Sequence, residues 1–587
     1  MRSDSRFRDW FFILLVGGLA YLVNLGATHL WDVDEAIFSR CSVEMLERND
    51  WVTPYYNGEV FGHKPPVMYW FQMAAFGAFG ETEFAARLFS AVFGISTLLL
   101  TYELGRILFS ARAGLWSALA LAGCLNFAVI ARAATPDAYL TFFCTLAMLA
   151  LVRGTHNKTD ANWQPALPAD WKTYALSYVA MGIAVLVKGP VGVVLPMAVW
   201  GMFLLTEQRR RESNAETQSS AWYRTIVRWF APLYFLRTVW KMRPITAAVI
   251  VLAVAAPWYV WVGSRTNGVF LQEFFFKHNL GRATAAMDSH SGPPYYYLLA
   301  ICIGTFPWCM LLAPAIGNLI VAIRAADPAR SAFTLLACWV CVWVGSFSLV
   351  STKLPSYIIP AYPAIALCFG ALVDRWLSSV NSAACRKWLR NAWAATAVVG
   401  IGILVALPLV LRTYLPNEWT PTLIALVPLL GAIVGFSFWF QSRLNWSLAT
   451  LSATGVLFAV GLLGFAVLPI DGYQNSPRVV ALVRSQANGT PQLASHNYLP
   501  PSMVYYHRQV IEKLGTAEEI SAFFARHPED AFLVTTSSGY ERIAKKLPDG
   551  IAVVARDRRF LRNGDVLLLG RTSGEHVSQR KRATGTQ

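Results

Sequence analysis

Groups able to handle a charged substrate gather in one stretch, Trp31 to Lys64, WDVDEAIFSRCSVEMLERNDWVTPYYNGEVFGHK. Asp32, Asp34 and Glu35 open it, directly after the apolar run Phe11–Gly26, and His63-Lys64-Pro65-Pro66 closes it before hydrophobicity resumes. Between them Ile37, Phe38, Cys41 and Met45 fall on one helical face and Glu35, Ser39 and Ser42 on another, which predicts an amphipathic helix beginning at the acids. Asp34 has two readings there. It acts on a substrate, or it caps the helix for about 1 kcal/mol. Three carboxyl groups so close together exceed what a cap or a helix dipole needs, and favour the first.

The scaffold that must position this polar island is a membrane one. Over 587 residues the chain is 55% apolar and only 14% charged, with a mean hydropathy of +0.42. That excludes a soluble globular protein and predicts a polytopic α-helical membrane protein, whose spans satisfy their own backbone hydrogen bonds. Apolar segments near 11–27, 83–105, 113–133, 138–153, 173–188, 190–206, 245–263, 295–317, 333–350, 357–373, 391–411, 420–440 and 447–469 give about thirteen spans. Arg2, Arg6 and Arg8 precede the first, and no small-residue cleavage site follows it, so an uncleaved helix with a cytoplasmic N-terminus is expected. Arg106/Arg112, Arg153/Lys158/Lys172, Arg209–Arg243, Arg324/Arg330 and Arg375–Arg390 then share that side. The net charge of +16 is largely this topology signal and implies no nucleic-acid partner. Most of the nine cysteines lie in apolar spans without CxxC spacing and are assigned to packing; the 22 Trp and 22 Tyr suit interfacial belts.

From Asp471 the pattern changes. PRVVALVRSQ, AEEISAFFARH and YERIAKKL read as helices, and PQLASH, DAFLVTTS, GIAVVARD and DVLLLGR as strands. The expected organisation is a membrane domain over 1–470, with amphipathic loop helices at about 34–80, a small soluble α/β domain over 471–571, and a disordered polar tail over 572–587. The α/β segment has no glycine-rich phosphate loop and no Ser-His-Asp or HExxH pattern. An odd number of spans puts it outside, on the face of the polar island.

Further ionisable residues fall on that outer face. They are Arg132 and Asp137 in RAATPDAY, Lys188 before Gly189-Pro190, Lys277, His278 and Arg282 in KHNLGR, and Lys353 and Tyr357 in KLPSY. Asp34 and Asp137 among Lys64, Lys188, Lys277, Arg282 and Lys353 would suit an anionic, phosphorylated lipid. Each residue has a plainer alternative. Asp137 follows a proline as turn residues do, Lys188, Lys353 and Arg282 could be snorkelling anchors, and His63 and His278 could be structural. Tyr295-Tyr296-Tyr297 and Trp308 read as belt aromatics. Asp34, Asp137 and His278 are the candidates should a divalent ion bind, but no ligand cluster predicts one.

Taken in order, WDVDEA, Asp50-Trp51 with Pro54, HKPP, VKGP and KLPSY resemble the polyprenyl-phosphate-dependent glycosyltransferases of the GT-C fold. That superfamily includes the dolichyl-phosphate-mannose protein mannosyltransferases. Within it the chain is most similar to the bacterial transferases of 4-amino-4-deoxy-L-arabinose to lipid A. The motifs cover roughly the first 360 residues. The resemblance implies an undecaprenyl-phosphate-linked sugar donor, a lipid A acceptor, a bacterial inner-membrane location with a periplasmic site, and polymyxin resistance as the outcome. It further implies that Asp34 and Asp137 are the catalytic acids and Lys64 the donor-phosphate lysine. Glu35, His63, Lys188, Lys277, His278, Arg282, Lys353 and Tyr357 would line the substrate cavity.

Departure of a lipid phosphate needs positive charge on its oxygens. With an anionic phosphate as acceptor no general base is required, and Asp34 would stabilise oxocarbenium character or orient the sugar. With a hydroxyl acceptor it would be the base. A single inverting displacement is the simplest scheme. Two other readings stand beside this one: a related transferase moving mannose or another sugar to protein or envelope glycan, and a flippase for lipid-linked sugars. The flippase reading calls for internal repeats and polar midplane residues, whereas here the charges gather at one face.

Overall fold

The computed structural model describes residues 2–156, 170–213, 232–281, 292–325, 327–378, 383–415, 417–487 and 489–571. Arg282 and the expected disordered tail lie outside the described residues.

The chain begins with α1 (Arg2–Leu22), which packs beside α4 (Glu83–Leu108). Between them the polar island folds as α2 (Asp34–Glu47), a hairpin of β1 (Tyr55–Tyr56) and β2 (Glu59–Val60), and α3 (Val67–Phe79). The hairpin turns through Asn57 and Gly58, both at positive φ (54° and 83°), as an Asn-Gly turn requires. Then follow α5 (Ala111–Ala122) and α6 (Leu125–Arg132), α7 (Asp137–Gly154), α8 (Trp171–Lys188) and α9 (Val191–Ser213). Later helices run over 244–265, 330–349, 355–378, 383–414, 420–440 and 444–471.

Among the described residues, nine helices are long and apolar enough to cross a membrane. Two bent pairs raise the number to eleven: α5 with α6, at 68°, and Tyr296–Gly304 with Trp308–Arg324, at 113°. This is fewer than the thirteen expected. The other two segments, α1 and α8, are helices in the same bundle but more polar, with Arg6, Arg8 and Asp9 in the first turns of α1 and Lys172 and Lys188 at the ends of α8. Trp308, expected at an interface, is instead fully buried against Phe369, with ring centroids 5.6 Å apart; Tyr297 is likewise buried while Tyr295 is exposed.

The two ends of the bundle differ chemically. At one, the buried Glu103 carboxylate receives Arg6 (2.8 Å), Arg106 (2.8 Å), Arg153 (3.3 Å) and the Trp10 indole (3.0 Å). Three basic residues from α1, α4 and α7 thereby share one acceptor. The other end carries the polar island and the C-terminal sheet.

That sheet has strand order β4-β3-β5-β7-β6, built from β3 (Gln492–Ser495), β4 (Glu512–Lys513), β5 (Ala531–Thr536), β6 (Ile551–Arg558) and β7 (Asp565–Arg571). β3 pairs in parallel with β4 and β5, and β7 runs antiparallel to β5 and β6. Helix Ala517–Arg526 starts with a capping box of Thr516 and Glu519, as its sequence pattern allows. The domain is fastened to the polar island rather than tethered to it. The Asn57 side chain bonds both polar backbone atoms of Ile511 (3.0 and 2.8 Å), Tyr506 Oη accepts from Leu30 N (2.8 Å) and donates to Glu83 (2.9 Å), and His29 meets Asp471 (2.7 Å).

Candidate active site

α2 starts without a side-chain cap. Val33 occupies the N-cap position and Asp34 is the first helical residue, its side chain making no capping hydrogen bond. Among the described residues the Asp34 carboxylate has no hydrogen-bond or ion-pair partner, and the residue is exposed. It faces a cavity of about 900 Å³, lined also by His63, Arg132, Tyr357 and Arg562. The capping alternative for Asp34 is therefore not what the geometry shows.

Its neighbours are already engaged. Glu35 also lines this cavity, with its carboxylate tied into the fold. It takes a two-point contact from Arg87 (2.9 and 2.8 Å) and accepts from the amides of Trp31 (3.0 Å) and Ala134 (2.7 Å). Burial would push its carboxyl up, but the Arg87 charge and these hydrogen bonds bring it below the ordinary carboxylate range. Arg87 also donates to the carbonyls of Leu25 (3.1 Å), Thr28 (2.8 Å) and His29 (2.8 Å). One buried guanidinium thus closes the loop before α2 against α4. Asp32 accepts from Ser502 N (2.6 Å) and Oγ (2.9 Å), and burial outweighs these bonds, so its carboxyl lies above the ordinary range.

On another side Asp137 opens α7, and Lys188 ends α8 with Nζ 2.5 Å from the Asp137 carboxylate. The same Nζ lies 5.2 Å from the ring centre of Tyr357, which lines the cavity. Asp137, Lys188 and Tyr357 therefore form one connected set reaching the space that Asp34 faces.

The remaining expected residues divide. His63 stacks between Phe61 (3.9 Å) and His278 (3.6 Å between ring centroids), so the HKPP loop and the segment after helix 244–265 pack on each other. Glu273 accepts from Gly62 N at 3.1 Å, and a Cβ at Gly62 would lie 2.6 Å from Glu273 Cβ, so this approach requires glycine. Lys64 is half-buried immediately before α3. Lys353, expected at the substrate, donates to the carbonyls of Ser348 (3.0 Å) and Val350 (2.8 Å) and so closes the end of helix 330–349. Lys277, also expected there, is exposed and sits 3.8 Å from Glu273; it is absent from the cavity lining. Asp34, Asp137 and His278 do not come together as a metal-binding group among the described residues. Asp50 of the DW-x-x-P motif caps a turn through Val52 N (2.9 Å) and Thr53 N (3.2 Å) and pairs with Arg265 (2.8 Å), a structural role.

Two residues central to this geometry escape a linear reading. Arg87 sits in an apolar helix and resembles a snorkelling anchor; the signal was its place one turn into a span, beside the polar island's own depth. Arg562 lies in the turn between β6 and β7, far along the chain, and nothing local marks it. The Asn57-Gly58 turn was legible as a hairpin signal.

The model of the dolichyl-phosphate-mannose-protein mannosyltransferase family matches residues 63–235. The undecaprenyl phosphate-alpha-4-amino-4-deoxy-L-arabinose arabinosyl transferase of Pseudomonas aeruginosa (strain UCBPP-PA14) is 30% identical over 465 residues, spanning 78% of this chain and 76% of that protein. The Yersinia pestis (strain Pestoides F) protein of the same description is 27% identical over 455 residues, 76% of this chain and 74% of its own. The crystal structure of ArnT from Cupriavidus metallidurans bound to undecaprenyl phosphate superposes with a TM-score of 0.72 at 23% identity, covering 98% of this chain and 99% of that one, which shows a shared fold. With this extent of likeness, and a cavity built where the motifs converge, the chain belongs to the undecaprenyl phosphate-aminoarabinose arabinosyl transferase family of membrane glycosyltransferases.

Proposed function

We propose that this enzyme transfers 4-amino-4-deoxy-L-arabinose from undecaprenyl phosphate to phosphate groups of lipid A, on the periplasmic face of the inner membrane, and so confers polymyxin resistance. The observation that carries the reading is Asp34, a carboxylate without a protein partner among the described residues that opens onto a cavity lined by arginines. The relatives' activity supplies the substrates.

In this scheme the glycosidic bond between sugar and carrier phosphate breaks as an acceptor phosphate oxygen attacks the anomeric carbon. That oxygen is anionic near neutral pH, so no base is needed. Asp34 is the catalytic carboxylate, stabilising positive character on the sugar ring or holding its amine. Lys64 and Lys188 neutralise the departing lipid phosphate, and Asp137, as the second catalytic acid, sets the position of Lys188 through their ion pair. His63, with His278 behind it, and Tyr357 shape the wall. Glu35 and Lys353 hold backbone in place.

The contrast between the bundle's ends supports this orientation. The Glu103 cluster gathers cations as a cytoplasmic face does, and the cavity belongs to the opposite end. A C-terminal alkaline phosphatase fusion should therefore be active and a fluorescent-protein fusion dark.

The test of function is mass spectrometry of lipid A from cells carrying wild type or Asp34→Asn. Aminoarabinose-substituted lipid A is expected from the wild type and none from Asp34→Asn at equal membrane levels. Asp34 is exposed and caps nothing, and Asn keeps its size, so a folding explanation for the loss is avoided. Substituted lipid A from Asp34→Asn would remove that carboxylate from the chemistry, and unsubstituted lipid A from the wild type would remove the substrate assignment.

A further inference from the structure

The turn between β6 and β7 reaches the cavity from the soluble domain and brings Arg562 to its wall. Its shape is specified in detail. β6 and β7 pair up to Arg558 opposite Asp565, Arg559 N donates to Gly564 O (3.0 Å), and Arg562 N donates to Arg559 O (3.4 Å). Leu561 and Gly564 take positive φ of 51° and 89°. The Asn475 side chain binds the base of the turn from both sides, accepting from Phe560 N (2.7 Å) and donating to Arg558 O (2.8 Å). Phe560 then packs on Trp31, with ring centroids 5.9 Å apart, one residue before the acidic stretch that begins at Asp32. An exposed hairpin tip with no task would not need this anchoring.

Three arginines line the cavity, and their states differ. Arg87 is saturated by Glu35 and backbone carbonyls. Arg132 donates to the carbonyls of Ala20 (3.3 Å) and Leu463 (3.4 Å) within the helical bundle. The Arg562 guanidinium has no hydrogen-bond acceptor and no ion-pair partner among the described residues. The Asp32 carboxylate, which accepts from Ser502 at both oxygens, is near enough to feel the Arg562 charge but makes no ion pair with it. A planar guanidinium left open over a cavity is matched to a phosphate, which it can meet at two points.

Two phosphates must meet in the reaction, one leaving and one attacking. The leaving phosphate is tied to a polyprenyl chain in the bilayer and comes in along the spans. We propose that Arg562 forms the subsite for the acceptor's phosphate monoester, so that the soluble domain holds the attacking phosphate while the membrane domain holds the departing one. This rests on the transferase reading above and adds to it a role for the C-terminal domain and a residue that selects the acceptor.

The test uses the full chain in nanodiscs with the polyprenyl-phosphate-linked donor and lipid A as acceptor. Arg562→Ala should raise the acceptor KM by ~10–100-fold, as loss of one hydrogen-bonded charged contact does, with the donor KM within about twofold. Arg562→Lys should recover part of the loss. Arg559→Ala removes an equal charge from the same turn, where Arg559 lies over the Tyr498 ring, and should leave both KM values unchanged. An unchanged acceptor KM in Arg562→Ala, or a rise in the donor KM instead, overturns the inference while leaving the transferase reading intact. So does an equal effect from Arg559→Ala, which would indicate only a general field. Binding of lipid A and of its dephosphorylated form, measured without donor, separates the two readings. Phosphate-dependent binding lost in Arg562→Ala supports the subsite even if the wild type transfers no sugar. Binding indifferent to the phosphate refutes it.

Discussion

Replacing Arg87 by Leu removes the one cation among the described residues that neutralises Glu35 in a buried setting, the two side chains being 4% and 9% exposed. The pair as a whole need not be stabilising, because desolvation opposes the Coulomb gain, but stranding one member costs ~3–5 kcal/mol. The stability of a domain is only ~5–15 kcal/mol, so a large share is lost. The effect centres on the start of α2, since Arg87 also binds the carbonyls of Leu25, Thr28 and His29, and Glu35 also binds the amide of Ala134 before α7. Thiol-reactive fluorescence during thermal unfolding in detergent suits the measurement, because six of the nine cysteines are buried. The midpoint should fall by several degrees in Arg87→Leu. Adding Glu35→Gln should restore part of it, since the neutral amide oxygen still accepts from Trp31 or Ala134. The depressed Glu35 carboxyl sets the pH dependence: its stabilisation is present above the ordinary value of 4.5 and is lost as pH falls through the lower folded value. A loss below ~1 kcal/mol, the scale of a surface pair, or a double variant worse than Arg87→Leu, would refute the clamp.

Lys64→Ala should raise the donor KM by ~10-fold through loss of a charge-assisted phosphate contact, read by donor titration in nanodiscs; an unchanged donor dependence would move that role to Lys188. Lys188→Met strands the Asp137 carboxylate and should lower the folded yield by ~3–5 kcal/mol of stability. Combining it with Asp137→Asn should restore the membrane level without restoring transfer, and recovery of both would make the pair purely structural. His29 has its pKa raised chiefly by the hydrogen bond to Asp471, against the opposing effect of burial, so its contribution is full below 6.5 and fades as pH rises through the folded value. Hydrogen exchange around residues 25–33 should accelerate over that window in wild type and not in Asp471→Asn. His507 runs the other way: burial first, then Arg484 and Arg40, hold it down to about 4, and neither ring nitrogen has a hydrogen bond among the described residues. Its neutral form stabilises above 6.5 and that is lost as pH falls toward 4, so His507→Phe should flatten the acid limb of soluble-domain unfolding.

The sequence by itself determined the class of the molecule and marked a candidate neighbourhood for its chemistry. Hydrophobic runs of span length can only be helices in a bilayer, and the helix that Ile37, Phe38, Cys41 and Met45 predict is the α2 observed. The alternating pattern after Asp471 likewise appears as the strands and helices read from it, save Pro501–His507 and the two-residue β4, both too short to leave a periodic signal. Acids crowding a helix start also marked Asp34. Only tertiary structure decided which of those acids is open. Glu35 and Asp34 are adjacent in the chain and both line the cavity, yet Glu35 is held by Arg87 on α4 while Asp34 has no partner among the described residues. The lysines divide as well: Lys188 meets an acid 51 positions away, while Lys353 turns back on its own helix end. Arg562, 528 positions from Asp34 by their numbers, shares its cavity because the soluble domain is bonded to the polar island through Asn57, Ser502 and Tyr506. Periodicity and composition report the solvent around a segment. The partner a charge finds depends on which distant segments pack against it, and that is set by the whole fold.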